Sequence, residues 1–369
     1  MASAPGAPLD ARAVAARAAA DRAFCVALLP RVSRTFALSI EALPETLRDA
    51  VRVSYLLCRA VDTIEDEPRL APAVRVALFD AFDALLADDA ADPAAFEQAC
   101  AGANLAAAGP DGELCRGAGA LFRAFRALPA AQRDAVRPHV QEMSRGMRAY
   151  CARADAAGAE LRLTDLPDLE RYCYYVAGTV GNLLTALFEE TVPGLTPAAR
   201  AGARERAVSF GLGLQLVNIV KDVAEDLARG VCFLPESLAA AHGVALEQIL
   251  EPEARAAGLA IVRAVSERAH AHLDRAREYV ALWPAGPEGT AVRLFCAVPL
   301  GLALATLREV ERGKDTLRAG ATPKVSRPFV ARLLISARMA AGSDQKLARL
   351  FARCEGVRPE TGPVSDAVA

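Results

Sequence analysis

Apolar residues recur at intervals of three and four positions through most of the 369-residue chain, and convincing alternating runs are absent. Because an α-helix turns once in about 3.6 residues, this spacing gives each segment one apolar helical face, whereas a half-buried strand needs strict alternation. Short clusters of Gly and Pro separate the periodic segments, as expected at helix ends. The pattern predicts an all-α chain.

Composition supports a large helical core. Hydrophobic residues make up 53% of the chain and aromatic residues 5%, and the dominant Ala and Leu favour helix over strand. Neither a composition shift nor a repeat of fixed period marks a domain boundary. We predict one all-α domain over residues 21–355, an N-terminal extension over residues 1–20 and a disordered tail over residues 356–369.

Charge, cysteines and apolar runs exclude several classes of protein. The 43 basic and 45 acidic residues give a net charge of −2, which argues against a general nucleic-acid binder. Nine cysteines without a CxxC pair suggest small buried side chains in a reducing compartment. The N-terminus lacks the apolar core of a secretory signal, and the longest apolar run, residues 294–307, is too short to span a bilayer. We expect a cytoplasmic protein without a transmembrane helix, and a peripheral contact with membranes is left open.

Two acidic motifs follow apolar helical segments with the same layout. The first is DTIED, residues 62–66, and the second is DVAED, residues 222–226. In each motif the two aspartates are four residues apart and therefore share one helix face. The preceding turns on these faces also carry polar side chains: Tyr55 and Arg59 before the first motif, and Gln215 and Asn218 before the second.

The repetition and the setting of these motifs point to a metal site. One such acidic pair is usually a solvated helix face, but here both pairs end long apolar helices. Burying two carboxylates that repel each other requires a cation, and oxygen ligands without nearby His or Cys suit Mg²⁺ better than Zn²⁺. We expect the two acidic helix faces to lie opposite each other and to bind a diphosphate through Mg²⁺. Arg34, Arg59 and Lys221 would add positive charge around the diphosphate.

Five segments, in order along nearly the whole chain, resemble the squalene and phytoene synthase family of head-to-head prenyl transferases. They are SRTFALSIEALP (33–44), YLLCRAVDTIEDEP (55–68), YCYYVAGTVG (172–181), GLQLVNIVKDVAED (213–226) and FCAVPLGLALATL (295–307). RAVDTIED, YCYYVAG and FCAVP look more like squalene synthases than phytoene synthases. The resemblance implies the isoprenoid-synthase fold, a single helical bundle around a central cavity.

The resemblance also implies an activity and a set of ligands. Two farnesyl diphosphates would condense through presqualene diphosphate, and NADPH would reduce the product to squalene. The implied Mg²⁺ ligands are Asp62, Glu65, Asp66, Asn218, Asp222, Glu225 and Asp226. The implied substrate-binding residues are Ser33, Arg34, Phe36, Tyr55, Arg59, Gln215, Asn218, Lys221 and Arg229.

Two aromatic residues match family positions close to the reaction. Tyr172 matches the tyrosine placed near the proton transfer, and Phe295 matches an aromatic residue that lines the apolar half of the cavity, where its ring could stabilise a cation. Simple helix packing is the competing explanation for both residues. Family squalene synthases usually have His where this chain has Tyr174, which leaves the local hydrogen bonding open.

No strand followed by GxGxxG is present, so a Rossmann-type NADPH site is excluded. Lys324 and Arg327 resemble the basic loop that faces the cofactor phosphates in squalene synthases, although a solvated loop would have the same composition. Arg34, Arg59 and Lys221 are further candidates for those phosphates. Val231 stands where many relatives have Arg, and Arg229 is the candidate replacement.

Three alternatives remain from the sequence. A phytoene or dehydrosqualene synthase would perform the same coupling without NADPH. A non-catalytic helical scaffold or prenyl-binding relative would not need the acidic motifs. A head-to-tail prenyl transferase or terpene cyclase would lack SRTFALSIEALP and YCYYVAG in this order. We expect the protein to be a monomer.

Overall fold

The computed structural model describes residues 11–105, 109–158, 160–313 and 316–356, and the side chains of residues 11, 34 and 35 are outside this description. These residues form helices joined by turns and loops, without a strand among them. The prediction of an all-α fold is confirmed. Of the predicted disordered tail only residue 356 is described, and of the predicted N-terminal extension residues 11–20 form the start of a helix.

Contacts between helices divide the described residues into two compact units, which the sequence did not indicate. The first unit lies within Met1–Glu41 and Glu45–Arg148. Its helices are α1 (Ala11–Val32), α2 (Arg34–Ile40), α3 (Glu45–Asp66), α4 (Pro72–Ala87), α5 (Ala94–Gly102), α6 (Pro110–Arg116), α7 (Ala118–Arg126) and the larger part of α8 (Ala130–Ala157).

The second unit lies within Ala42–Pro44 and Ala149–Ala369. It holds the end of α8 and one π-helical segment (Tyr174–Gly178) that joins two α-helices. The α-helices of this unit are α9 (Leu166–Cys173), α10 (Thr179–Thr191), α11 (Pro197–Ala228), α12 (Glu236–Ala241), α13 (Arg255–Leu282), α14 (Pro287–Glu311), α15 (Arg327–Ala340) and α16 (Asp344–Glu355), with a single 3₁₀ turn at Leu246–Gln248.

Helix α3 presents the first acidic motif on its last turn. Its apolar stripe, which includes Leu57, Val61 and Ile64, is fully buried, so packing fixes the face on which the acids emerge. Pro68 follows the helix end, where a proline cannot continue the backbone hydrogen bonding. The motif therefore lies at the end of a helix whose orientation is fixed by its buried face.

Helix α11 presents the second acidic motif and packs against its neighbours through backbone contacts. A Cβ atom on Gly211 would lie 2.1 Å from the carbonyl oxygen of Ala177, and one on Gly181 would lie 2.1 Å from that of Ala207. No side chain fits at either position, so glycine lets α11 touch α10 and the π-helical segment directly. This close approach fixes the helix that carries the motif.

Two helices, Pro197–Ala228 and Pro287–Glu311, are long and apolar enough to cross a membrane by length and composition alone. Their apolar windows are 67% and 78% buried inside the protein, as expected for core helices. Eight of the nine cysteines are buried, as the sequence predicted. Both features reflect an apolar helical core.

Candidate functional site

Asp62 of the first motif carries an unsatisfied carboxylate oxygen. Its Oδ1 atom is buried and has no hydrogen-bond partner among the described residues, although the residue as a whole is half-buried. Burial, followed by the charge of Asp66, raises the pKa of Asp62 to about 7, while Arg59 opposes this shift. An orphaned carboxylate oxygen beside a second carboxylate fits an oxygen-preferring divalent cation such as Mg²⁺.

Arg59, predicted to bind the diphosphate, is held by an acid that the sequence did not single out. Its Nε donates to Asp111 Oδ1 at 2.8 Å and its Nη2 donates to Asp111 Oδ2 at 3.1 Å. This two-pronged hydrogen bond orients the guanidinium and raises its pKa. Asp111 lies 52 residues away in an Ala-, Asp- and Gly-rich stretch, so no local pattern could have revealed the pair.

Three more predicted substrate-binding residues lie together in the first unit. Ser33 caps α2 by accepting a hydrogen bond from the Phe36 backbone N–H at 3.3 Å. The rings of Phe36 and Tyr55 are 5.8 Å apart, and burial raises the pKa of the Tyr55 phenol. The capped end of α2 is thus joined to the face of α3 that carries Arg59 and Asp62, while the Arg34 side chain lies outside the described residues.

The second motif has cations already in contact with its acids. Lys221 Nζ lies 2.7 Å from Oδ1 and 2.5 Å from Oδ2 of the adjacent Asp222. Arg229 pairs with Asp226, which is only 6% exposed. Burial raises the pKa of Asp226, and the Arg229 guanidinium opposes this shift. The second motif is therefore compensated by its own neighbours in the chain.

A tertiary contact connects the second motif to the predicted cofactor loop. The Thr322 hydroxyl donates to Glu225 Oε2 at 3.3 Å, and Lys324 follows two residues later as an exposed cation. Arg327 is also exposed and begins α15 directly after the capping Ser326. Earlier on α11, Gln215 is half-buried and Asn218 is exposed. The loop and the motif, about 100 residues apart, thus belong to one region of the second unit.

Tyr172 is buried among aromatic rings. It stacks on Phe233 with centroids 5.1 Å apart and meets the edge of Tyr150 at 5.2 Å. The π-helical segment begins two residues later, at Tyr174, whose ring lies 5.3 Å from that of Tyr175. Packing fixes the Tyr172 ring, and π-helical segments are frequent at functional sites.

Asp168 is a buried carboxylate that is connected to Tyr172 through Tyr150. The sequence did not predict a role for it. Tyr150 Oη donates to Asp168 Oδ1 at 2.9 Å, Arg153 Nη1 donates to the same oxygen at 3.0 Å, and the Thr164 backbone N–H donates to Oδ2 at 3.0 Å. Burial alone would raise the pKa of Asp168, but these hydrogen bonds lower it to about 2. The network holds the Tyr150 ring against Tyr172.

Phe295 lies in the core of the second unit and is 2% exposed. Its ring meets Phe188 edge-on at 5.7 Å, and Phe188 meets Trp283 at 5.4 Å. These contacts support the packing explanation for this residue. Its predicted contact with a cationic intermediate stays a prediction.

The acidic side chains that could bind a metal form two separate pairs, one in each motif. Within the described part of the chain, no group of three or more His, Cys, Asp or Glu side chains converges on one metal position. Each motif instead offers an acidic pair, with Glu65 or Glu225 beside it. Oxygen donors of this kind fit Mg²⁺, and the joint action of both motifs on one diphosphate stays a prediction.

Comparison with known proteins places these residues in a family. The family described as squalene/phytoene synthase matches residues 29–328. The chain is 31% identical over 285 residues to the squalene synthase of Eremothecium gossypii, a match that covers 77% of this chain and 60% of that relative.

Solved structures agree with the sequence match. The complex of TcSQS with a ligand superposes with a TM-score of 0.75 at 26% identity, covering 91% of each chain. A dehydrosqualene synthase shares the fold with a TM-score of 0.61 at 23% identity, covering 88% of this chain and 97% of that one. The chain belongs to the squalene/phytoene synthase family.

Proposed function

We propose that this protein condenses two farnesyl diphosphate molecules head to head through presqualene diphosphate and reduces the product to squalene with NADPH. The observation that carries the proposal is the orphaned Oδ1 of Asp62 beside Asp66, at the end of a buried helix, in a chain of this family. Such a carboxylate is costly to the fold and useful when it binds a cation.

The acids of α3 and α11 would hold Mg²⁺. When bound, the metal neutralises the diphosphate and stabilises its leaving oxygens. Lys221 and Arg229 lie against Asp222 and Asp226 and would be available to diphosphate oxygens if these acids held a cation instead. Arg59 is aimed by its two bonds to Asp111 and would bind the anion from the side of the first motif.

Tyr172 would act at the proton lost during closure of the cyclopropane ring. Its ring is held between Phe233 and Tyr150, so its hydroxyl is confined to a narrow set of positions. Asp168 does not reach the reaction in this proposal; it orients Tyr150, which in turn supports Tyr172. Phe295 and its aromatic neighbours would exclude water from the apolar part of the reaction.

Lys324 and Arg327 would bind the phosphates of NADPH, which supplies the hydride of the second half-reaction. Both side chains are exposed cations, and the loop bonds to Glu225 through Thr322. The second acidic motif and the proposed cofactor loop are thus neighbours within the second unit. The N-terminus of α15, which is the positive end of its helix dipole, begins in the same loop and favours a nearby anion.

Product analysis tests this proposal against the phytoene and dehydrosqualene alternatives. The purified protein is incubated with farnesyl or geranylgeranyl diphosphate, with and without NADPH, in Mg²⁺ or EDTA. We expect squalene only from farnesyl diphosphate with NADPH and Mg²⁺. Phytoene, or a C30 hydrocarbon whose identity does not depend on NADPH, would contradict the proposal, as would turnover that persists in EDTA.

The expected monomeric state and cytoplasmic location also stay predictions. Light scattering after size-exclusion chromatography tests the first, and fractionation of cells that produce the protein tests the second. A dimer at micromolar concentration, or recovery that resists salt washing of the membranes, would contradict them.

A further inference from the structure

The outward face of α15 carries a stripe of apolar side chains. Ile335 is 62% exposed and Met339 is 66% exposed, more than any other large apolar side chain in the described part of the chain. The two residues are four apart and share one helix face. Ala331 and Pro328, also exposed, continue the stripe toward the start of the helix.

The opposite face of α15 is anchored in the second unit. Leu333, Ala337 and Ala340 are buried, and Leu333 packs so closely on α14 that a Cβ atom on Gly301 would lie 2.8 Å from it. The outward stripe is therefore held in a fixed orientation by the packed face. Ile335 and Met339 are exposed because of how the helix docks, not because the helix is loosely placed.

Arginines flank the apolar stripe on both sides. At 100° per residue, Arg332 lies about 60° to one side of Ile335 and Arg338 about 60° to the other. Both are exposed, and neither forms an ion pair with any residue that the structure describes. Helix α15 contains no acidic residue.

The surrounding segment is strongly basic in a slightly acidic protein. Residues 316–353 contain eight basic residues and one acid, a net charge of +7, whereas the whole chain carries −2. The remaining residues therefore carry −9. The single acid, Asp344, lies 2.7 Å from the buried Arg293, so its charge is already paired.

We propose that the outward face of α15 docks onto an anionic phospholipid surface. Ile335 and Met339 would enter the boundary between headgroups and acyl chains, and Arg332 and Arg338 would remain among the phosphates. A second copy of the chain fits this face poorly. In a two-fold contact the cationic patch of one copy would meet the same cationic patch of the other, and the two would repel each other. The four side chains of this face have no part in the catalytic proposal, although the basic segment around them includes Lys324 and Arg327, which are assigned to the NADPH phosphates.

Vesicle co-sedimentation tests the proposal with the intact chain. We expect binding to mixed phosphatidylcholine and phosphatidylglycerol vesicles to exceed binding to phosphatidylcholine alone by about tenfold or more, and to weaken as salt is raised. Both Arg332→Glu/Arg338→Glu and Ile335→Ser/Met339→Ser should reduce binding to the mixed vesicles by about tenfold or more.

Matched variants distinguish a specific role of this helix face from general effects of net charge and of exposed apolar side chains. Arg17→Glu/Arg263→Glu makes the same change in net charge on other exposed helices, and Val14→Ser/Val26→Ser removes apolar side chains that are 50% and 42% exposed. Both should bind vesicles like the parent. All variants should keep the parent's thermal midpoint and its turnover in vesicle-free buffer.

Equal binding to both vesicle types would overturn the proposal, as would equal losses in the matched variants. So would light scattering that shows a dimer of the parent which Ile335→Ser/Met339→Ser converts to a monomer, because the face would then belong to a second copy. Failure of the product assay would leave the vesicle result unaffected.

Discussion

The two acidic motifs have the same sequence layout and opposite local electrostatics. In the first, Asp62 keeps a buried oxygen without a hydrogen-bond partner, and its arginine neighbour on α3, Arg59, is turned toward Asp111. In the second, Lys221 and Arg229 lie directly against Asp222 and Asp226. The first motif thus lacks a compensating cation at one oxygen, whereas the second is compensated within the chain.

This difference suggests that the two motifs contribute in different ways to the binding of a metal and a diphosphate. A cation at the first motif would satisfy an oxygen that the fold leaves unsatisfied, so its binding should stabilise the protein directly. At the second motif a cation would compete with Lys221 and Arg229 for the carboxylates, and the two basic side chains would then be available to an anion. Four sets of substitutions test or sharpen this comparison.

The largest expected effect comes from removing one acid of each motif. Asp62→Asn and Asp222→Asn should each reduce turnover of farnesyl diphosphate at saturating Mg²⁺ by at least about 100-fold, since several kcal/mol of charge stabilisation is lost. Their thermal midpoints in EDTA should diverge. Asp62→Asn should unfold at a higher temperature than the parent because an uncompensated carboxylate is removed, and Asp222→Asn should not, because Lys221 loses its partner.

Calorimetry with and without Mg²⁺ provides the control for these variants. Mg²⁺ should raise the thermal midpoint of the parent and have a much smaller effect on Asp62→Asn. If both variants shift the midpoint in the same direction, the two motifs do not differ as the contacts indicate. Turnover that survives both substitutions would contradict a metal-binding role.

The next effect concerns the helix that carries the second motif. Gly211→Ala should lower the free energy of unfolding by about 3 kcal/mol, because the new Cβ would meet the Ala177 carbonyl oxygen at 2.1 Å. Urea denaturation measures this change. Gly202→Ala on the same helix is the matched control: its Cβ would meet only side-chain atoms, the nearest at 3.2 Å, so better helix propensity should leave it as stable as the parent or more so. Equal losses in both variants would contradict the close packing of α11.

Asp168 shows what full hydrogen bonding does to a buried carboxylate, in contrast to Asp62. Its pKa of about 2 lies below the ordinary value of about 3.9, so it stabilises the fold above pH 4, and this contribution is lost as the pH falls toward 2. Asp168→Asn should therefore lower the free energy of unfolding by about 2 kcal/mol at pH 6, and the difference should shrink in acid.

Denaturation of parent and variant between pH 6 and pH 2 measures this dependence. Tyr150→Phe, which removes one donor and keeps the ring against Tyr172, should cost about 1 kcal/mol and is the milder comparison. A difference between parent and Asp168→Asn that stays constant from pH 6 to pH 2 would contradict the role of the charge.

The smallest expected effect tests the pairing of Arg59. Asp111→Asn should raise the KM for farnesyl diphosphate about threefold to tenfold with little change in kcat, because Arg59 would lose one ionic partner that orients it. Steady-state kinetics measure both constants. Glu113→Gln, on the same short helix and paired with the exposed Arg31, is the control and should leave both constants unchanged.

Much of the helical fold followed from sequence because the signals are local. The three- and four-residue spacing of apolar residues and the Gly and Pro clusters between the periodic segments depend on near neighbours, so the all-α class and the helices that end in acids could be predicted. The paired aspartates of DTIED and DVAED could be placed on helix faces for the same reason. The family resemblance supplied the proposed roles of Tyr172 and Phe295.

The sequence by itself determined which helices form and which of them end in acids. Tertiary structure alone decided how deeply those acids are buried and which partners from distant parts of the chain reach the motifs. Asp111 reaches Arg59 over 52 residues and Thr322 reaches Glu225 over 97. Ile335 and Met339 have the apolar character of core residues, and only the docking of α15 through Leu333 left them facing outward.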